Sequence, residues 1–253
     1  MEANLRAYRE PCWRLSAAMY LSMALPTLVM IPGTLCDARV FKRQKQALRG
    51  VANVVIVDYR HLRNLGQWAT QLLRKLPARF SVAGFSLGGL WALELLRQAP
   101  ERVQRIAMIA SNANAASPGG QRKSAWLWKM WRDRGPGEVA KHVKPAYFHH
   151  ESRRRVHADL VHDMALRTSR KAAFAEFAWA AQRPAGFAAL AAFQGPLLLV
   201  SGAKDRLCAP GMQRAMVAAQ PKSQWVDLPR VGHFVPLEAP ARLNQALLRW
   251  MEK

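Results

Sequence analysis

The chain is 253 residues long, apolar at 51% of its positions and formally +22, from 38 Lys plus Arg against 16 Asp plus Glu. That length and apolar content exclude a small disulfide-stapled scaffold and a disordered tail, and suit one large domain or one domain carrying an insertion. The cysteines Cys12, Cys36 and Cys208 are too few for a disulfide framework and lack metal-ligand spacing, so a reducing, cytoplasmic location is expected.

The basic excess has two readings. It favours anionic partners, such as phosphorylated cofactors, membrane headgroups or an acidic carrier protein. The simpler reading is arginine on solvated faces, because the cations are spread along the chain and no run resembles a nucleic-acid module. No nucleic-acid partner is expected. Nor is stable membrane insertion, since no stretch is apolar for long enough to span a bilayer.

In chain order, residues 1–22 read as a disordered extension or a misassigned start. Initiation at Met19 or Met23 would open "MALPTLVMIPG" directly on a core strand. Thr27 to Gly33 is that strand with its Pro-Gly turn. Arg39 to Leu48 has helical spacing and stops at Gly50. Val54 to Tyr59, "VVIVDY", is β-branched and continuous, which predicts a strand buried on both faces. Leu65 to Leu76 is helical, Phe80 to Phe85 a strand, Gly89 to Gln98 a helix and Arg105 to Ala110 a buried strand. The rhythm then breaks: from Ser111 to Phe193 no buried strand is legible and several helices are. It resumes with a strand at Pro196 to Gly202, a helix at Gly211 to Ala219, a strand at Ser223 to Leu228 and a closing helix at Pro240 to Trp250. Such alternation predicts an α/β fold with a doubly wound, mostly parallel sheet, and the break predicts an inserted helical segment. The expected core is 23–110 with 194–253, and the insertion 111–193.

Gly84-Phe85-Ser86-Leu87-Gly88 fits G-x-S-x-G. The pattern is weak alone but gains force from its setting, a buried strand running in and an amphipathic helix running out. A serine on such a turn projects its hydroxyl clear of the sheet, and the helix N-terminus points free N–H groups at a developing oxyanion. A hydroxyl nucleophile needs a base, and the base an orienter. "SGAKDRLCAP" puts Asp205 just past one strand, and "VGHFVPLEAP" puts His233 just past the next. Each alone reads as easily as a cap or a surface residue. Together, in the order serine, acid, histidine, they read as orienter and base. Backbone N–H groups of Leu87 and of Thr34, in the turn "PGTLCD", are the expected oxyanion donors, with Leu35 as the fallback to Thr34. Asp37 and Asp58 read as loop caps. Cys36 carries no mark of a nucleophile.

These motifs resemble the α/β-hydrolase superfamily over nearly the whole chain from about Thr27. The stretches "PGTLCDARVF", "GFSLGG", "SGAKDRLCAP" and "VGHFVPLEAP" stand where such enzymes carry the oxyanion loop, elbow, acid loop and histidine loop. The nearest resemblance is to small bacterial carboxylesterases near the pimeloyl-carrier-protein methyl esterase and the menaquinone-pathway lyase. Pro32-Gly33 departs from the His-Gly of many relatives, a change that backbone donors survive. The resemblance implies that 111–190 is a helical cap over the site, that no cofactor or metal is needed, and that the substrate is a small-molecule ester or thioester, with anionic and carrier-protein-linked esters among the candidates. It also leaves carbon–carbon hydrolysis, pyruvate elimination by the same triad, and a non-catalytic ligand-binding role as rivals.

Within the insertion, Trp128 and Trp131 share a helix face and read more readily as packing of the cap onto the core than as a pocket wall or an interfacial contact. His149, His150, His157 and His162 lack the helical i, i+4 spacing of zinc ligands. Arg153, Arg154 and Arg155 read as a solvated face, or as a dock for a carrier protein or for coenzyme A phosphates.

Overall fold

In the computed structural model, residues 25–58, 68–143 and 147–252 are described. The expectations for 1–22, including the alternative starts, and for Tyr59 and 65–67 lie outside them.

The core alternates as read. β1 is Thr27–Ile31, followed by a 3₁₀ turn at Ala38–Phe41, α1 at Lys42–Ala47, β2 at Asn53–Ile56, α2 at Trp68–Leu73, β3 at Phe80–Phe85, α3 at Leu87–Gln98 and β4 at Val103–Ile109. Five helices then precede β5: α4 Pro118–Arg134, α5 Pro136–Val143, α6 Glu151–Leu166, α7 Arg170–Gln182 and α8 Phe187–Ala192. The chain ends with β5 Leu197–Gly202, α9 Pro210–Ala219, β6 Gln224–Leu228, α10 Val235–Glu238 and α11 Pro240–Met251.

Among the described residues, six strands form one sheet in the order β2-β1-β3-β4-β5-β6, and every pairing is parallel. Parallel strands need long crossovers, and helices on both faces then bury the sheet. Alternation along each strand sorts its side chains between the two faces. Val29, Ile31, Val82, Ile106, Met108, Leu197 and Leu199 join one buried cluster. Leu28, Met30, Ala83, Phe85, Ala107, Ile109, Leu198 and Val200 join the other. Each such burial contributes about 1.5–3 kcal/mol for a side chain the size of leucine.

β2 departs from expectation. Its continuous apolar run predicts burial on both faces, yet Asn53 and Val55 are exposed and Val54 and Ile56 only half-buried. The reason is position: β2 is the sheet edge, and periodicity within a strand does not say how many neighbours cover it.

The inserted helices have a small core of their own. Leu127, Met130 and Trp131 of α4 pack with Val139, Ala140, Ala165, Ala173 and Phe177. Trp128 meets Phe174 edge-on at 4.9 Å, so the two tryptophans serve α4–α7 packing. The last helix, α8, instead buries Leu190 in the sheet's own cluster.

Strand order reverses at β1, since the chain leaves it for β2 on one side and returns to β3 on the other. In open α/β sheets the carboxyl ends of strands at such a switch point form the ligand crevice. The turn after β1 and the Ser86 elbow after β3 both open there.

Candidate active site

Ser86 links β3 to α3 with φ 53° and ψ −117°. That backbone is strained for a residue with a Cβ and persists only where its surroundings enforce it. They do so here. Ser86 N–H donates to Ile109 O at 2.9 Å, and its carbonyl accepts from the Ser111 hydroxyl at 2.7 Å. The two glycines are matters of space. A Cβ on Gly84 would lie 2.1 Å from Gly88 O, and one on Gly88 2.0 Å from Ile31 O. The side chain of Ser86 makes no helix-capping bond, leaving Oγ for His233.

His233 and Asp205 come from the loops after β6 and β5. His233 Nε2 stands 2.9 Å from Ser86 Oγ, and its Nδ1 2.8 Å from Asp205 Oδ2. Both partners of that second contact are buried. The other carboxylate oxygen, Oδ1, accepts from Leu207 N–H at 2.7 Å and Cys208 N–H at 2.9 Å. Burial pushes the Asp205 carboxyl up. The charge and hydrogen bond of His233, with the two amides, outweigh it and hold the carboxyl below its ordinary value. Asp205 is therefore an anion whose two oxygens are both committed.

The histidine loop is fixed from two directions. His233 N–H donates to Tyr147 O at 2.7 Å. The buried carboxylate of Glu238 accepts from Gly232 N–H at 3.1 Å and from His149 N–H at 3.0 Å, tying the loop to the segment entering α6. Around the imidazole, Phe85 and Tyr147 lie with ring centres 5.4 and 5.3 Å away.

The turn after β1 closes through Cys36 N–H donating to Gly33 O at 3.0 Å, with Leu35 at φ 53°. Leu35 N–H donates to Glu176 Oε2 of α7 at 2.7 Å, and that carboxylate is buried. The fallback oxyanion donor is thus engaged elsewhere, while Thr34 and Leu87 both line the cavity around Ser86. Asp37 accepts from Arg39 N–H and caps the 3₁₀ turn, as its sequence position suggests, and Arg39 also pairs with Asp37 and with Asp163 of α6.

The cavity holding Ser86 and His233 has a volume of about 210 Å³. A larger one of about 690 Å³ lies along α3 away from Ser86, Asp205 and His233, and Leu90 and Arg183 line both.

Among the described residues, one group of metal-ligand type forms, Asp205, Cys208 and His233, with ligand atoms within 4.8 Å of one another. Its chemistry is that of the relay rather than of a metal cage. Both imidazole nitrogens face Ser86 and Asp205, and burial pushes the Cys208 thiol up to about 12, so it stays protonated. The histidines of the insertion do not converge. His149 meets His150, while His157 stacks on Phe148. Arg155 is exposed, and the side chains of Arg153 and Arg154 lie outside the described residues.

Sequence reasoning missed Ser111, Glu176, Arg183 and Glu238. Two of them carried a signal: Glu176 is a lone carboxylate within "AFAEFAW", and Glu238 a lone one within "FVPLEAP". An acid amid apolar residues is one that must find a buried donor. Ser111 and Arg183 carried none, because their roles depend on how distant loops meet.

Known structures share this architecture. The thermophilic esterase from Thermogutta terrifontis is 23% identical, with a TM-score of 0.78 over 90% of each chain. The enol-lactonase from Burkholderia xenovorans is 21% identical, with a TM-score of 0.79 over 90% of this chain and 92% of its own. MenH from S. aureus is 17% identical, with a TM-score of 0.79 over 90% and 94%. At such identities the likeness is one of fold. No curated protein matches the chain. The profile of the alpha/beta hydrolase family matches residues 28–246, from the first core strand into the last helix, and the chain belongs to that family.

Proposed function

We propose that this protein is a serine hydrolase cleaving a carboxylic ester or thioester through an acyl-enzyme on Ser86. The observation that carries the reading is the continuous relay Ser86 Oγ–His233 Nε2–Asp205, at 2.9 and 2.8 Å, ending on a strained elbow. Ser86 Oγ attacks the acyl carbon as its proton passes to His233 Nε2. Asp205 holds the Nδ1–H tautomer and stabilises the imidazolium. The N–H groups of Leu87, at the first turn of α3, and of Thr34 stabilise the oxyanion. The C–O or C–S bond breaks as His233 returns the proton to the leaving alcohol or thiol. Water then attacks the acyl carbon, giving its proton to His233, and the carboxylic acid departs with Ser86 restored.

The inserted helices serve as a cap. Leu127, Val139 and Phe177 line the Ser86 cavity and give it an apolar wall. A cytoplasmic setting is consistent with Cys36 and Cys208 being buried thiols outside any disulfide, and no described helix is long and apolar enough to cross a membrane.

The test is hydrolysis of p-nitrophenyl esters with labelling by a fluorophosphonate. Ser86→Ala is expected to lower kcat by roughly 10⁴–10⁶-fold and to abolish the adduct. Full activity in that variant would overturn the reading. A wild type that forms no adduct would point to a binding role. Turnover of a dienoate or succinyl-benzoate-type substrate without ester hydrolysis would point to carbon–carbon cleavage or elimination.

A further inference from the structure

The Ser86 cavity is lopsided in charge. Among the described residues, Lys123 and Arg183 line it and no Asp or Glu does. Lys123 is exposed and lies over the Tyr147 ring. Arg183 is half-buried and differs from the ion-paired arginines of this protein. Arg39, Arg97 and Arg132 each face a carboxylate, and the hydrogen bond to it raises their pKa. Among the described residues, Arg183 meets neutral acceptors: Nε donates to Asn114 O at 3.1 Å and Nη1 to Ala180 O at 2.6 Å. Burial lowers its pKa, and no carboxylate contributes an opposing effect.

A guanidinium partly withdrawn from water without a counter-ion is costly, and the cost is offset when a ligand brings the anion. The residue is also well placed for that task. It directly follows α7, its carbonyl accepts from Ala116 N–H at 3.0 Å, and its two carbonyl contacts fix the guanidinium plane while leaving Nη2 without an acceptor among the described residues. A planar fork held in place suits a carboxylate better than a mobile ammonium would. With Leu90, Arg183 forms the wall common to the reaction cavity and the larger cavity along α3.

We propose that Arg183 is a carboxylate-binding subsite of the Ser86 cavity, and that the preferred substrate is an ester bearing a second, free carboxylate. The inference rests on Ser86 as nucleophile and adds the substrate class. Lys123 at the exposed edge assists by attracting the anion, and Arg183 holds it.

The experiment compares p-nitrophenyl hemiglutarate with p-nitrophenyl valerate, a neutral ester of similar length. Wild type is expected to favour the anionic ester in kcat/KM, with the preference shrinking as salt rises. Arg183→Met should lower kcat/KM for the anionic ester by about ten- to a hundredfold, mainly through KM, and for the neutral ester by far less, so that the preference is lost. Arg183→Lys should recover part of the preference. An equal fall for both esters would mean that Arg183 only braces the 114–183 junction, and a wild type without preference would equally overturn the subsite. Binding of monomethyl glutarate to Ser86→Ala, measured by calorimetry, reads the subsite without turnover. It should be lost in Ser86→Ala/Arg183→Met, and persistence there would refute the proposal. Absence of turnover and of fluorophosphonate labelling in wild type would instead count against Ser86.

Discussion

Replacing Glu176 by alanine tests how the turn after β1 is held. Leu35 adopts φ 53°, a left-handed conformation that costs a branched residue about 1–2 kcal/mol. Two contacts hold it there. Its side chain is buried among Leu127, Trp131, Val139 and Phe177 of the inserted helices. Its N–H donates to Glu176 Oε2 at 2.7 Å in a buried setting. Glu176→Ala removes that buried acceptor, at a cost of about 1–3 kcal/mol. For a chain of this size about 2 kcal/mol corresponds to roughly 4–8 °C in Tm. Thr34, whose N–H is a proposed oxyanion donor, precedes Leu35, so a relaxed turn should lower kcat more than it raises KM. Glu176→Gln keeps an acceptor oxygen and removes a buried charge, so it should retain most of both stability and kcat. Thermal melts and steady-state kinetics on one neutral ester suffice. An alanine variant with wild-type Tm and wild-type kcat would refute the reasoning.

Asp205→Asn should lower kcat by about 10⁴-fold by disturbing the imidazole tautomer, read on the same ester. It should also change acid stability. Because the folded carboxyl lies below its ordinary value of 3.8, the ionised group stabilises the fold above that pH, and the contribution is lost as pH falls through the lower folded value. The stability gap between wild type and variant, measured by denaturation at several pH values, should therefore narrow below about pH 4. Gly88→Ala should cost about 4 kcal/mol or more, because its Cβ would lie 2.0 Å from Ile31 O and 2.6 Å from Pro32 O, both backbone. Gly119→Ala is its control. There the nearest atom is 4.0 Å away, so a melt should show a Tm unchanged or slightly raised.

The motifs on strand ends were legible because local rules govern them. A buried run followed by a glycine-flanked serine already states strand, elbow and helix, and Asp205 and His233 follow strands whose apolar runs are plain. β2 was readable as a strand but not as an edge, since edge status is a property of the neighbours. Trp128 and Trp131 were readable as a helix face, and their packing against α7 followed from amphipathicity. Arg183 was not legible at all. Its lack of a carboxylate partner is a fact about the surrounding loops, and in a chain with 38 cations no single one stands out by composition.

Two of the four loops that carry the proposed chemistry are fastened to the inserted helices. The turn after β1 is joined through Leu35 to α4, α5 and α7, through Glu176 to α7 and through Arg39 to Asp163 of α6. The histidine loop is joined through Tyr147 O, and through Glu238 to His149, at the entrance to α6. The elbow is held from the end of β4, by Ile109 O, and by Ser111 just beyond it. A displacement of the inserted helices would therefore move the Thr34 N–H and the His233 ring while leaving Ser86 in place. The elbow's strain is stored in β3, β4 and α3, whereas the distance from His233 Nε2 to Ser86 Oγ depends on 147–182. Under the proposed mechanism, substrate filling the cavity beneath α4 and α7 would bear on the same contacts that orient His233 toward Ser86.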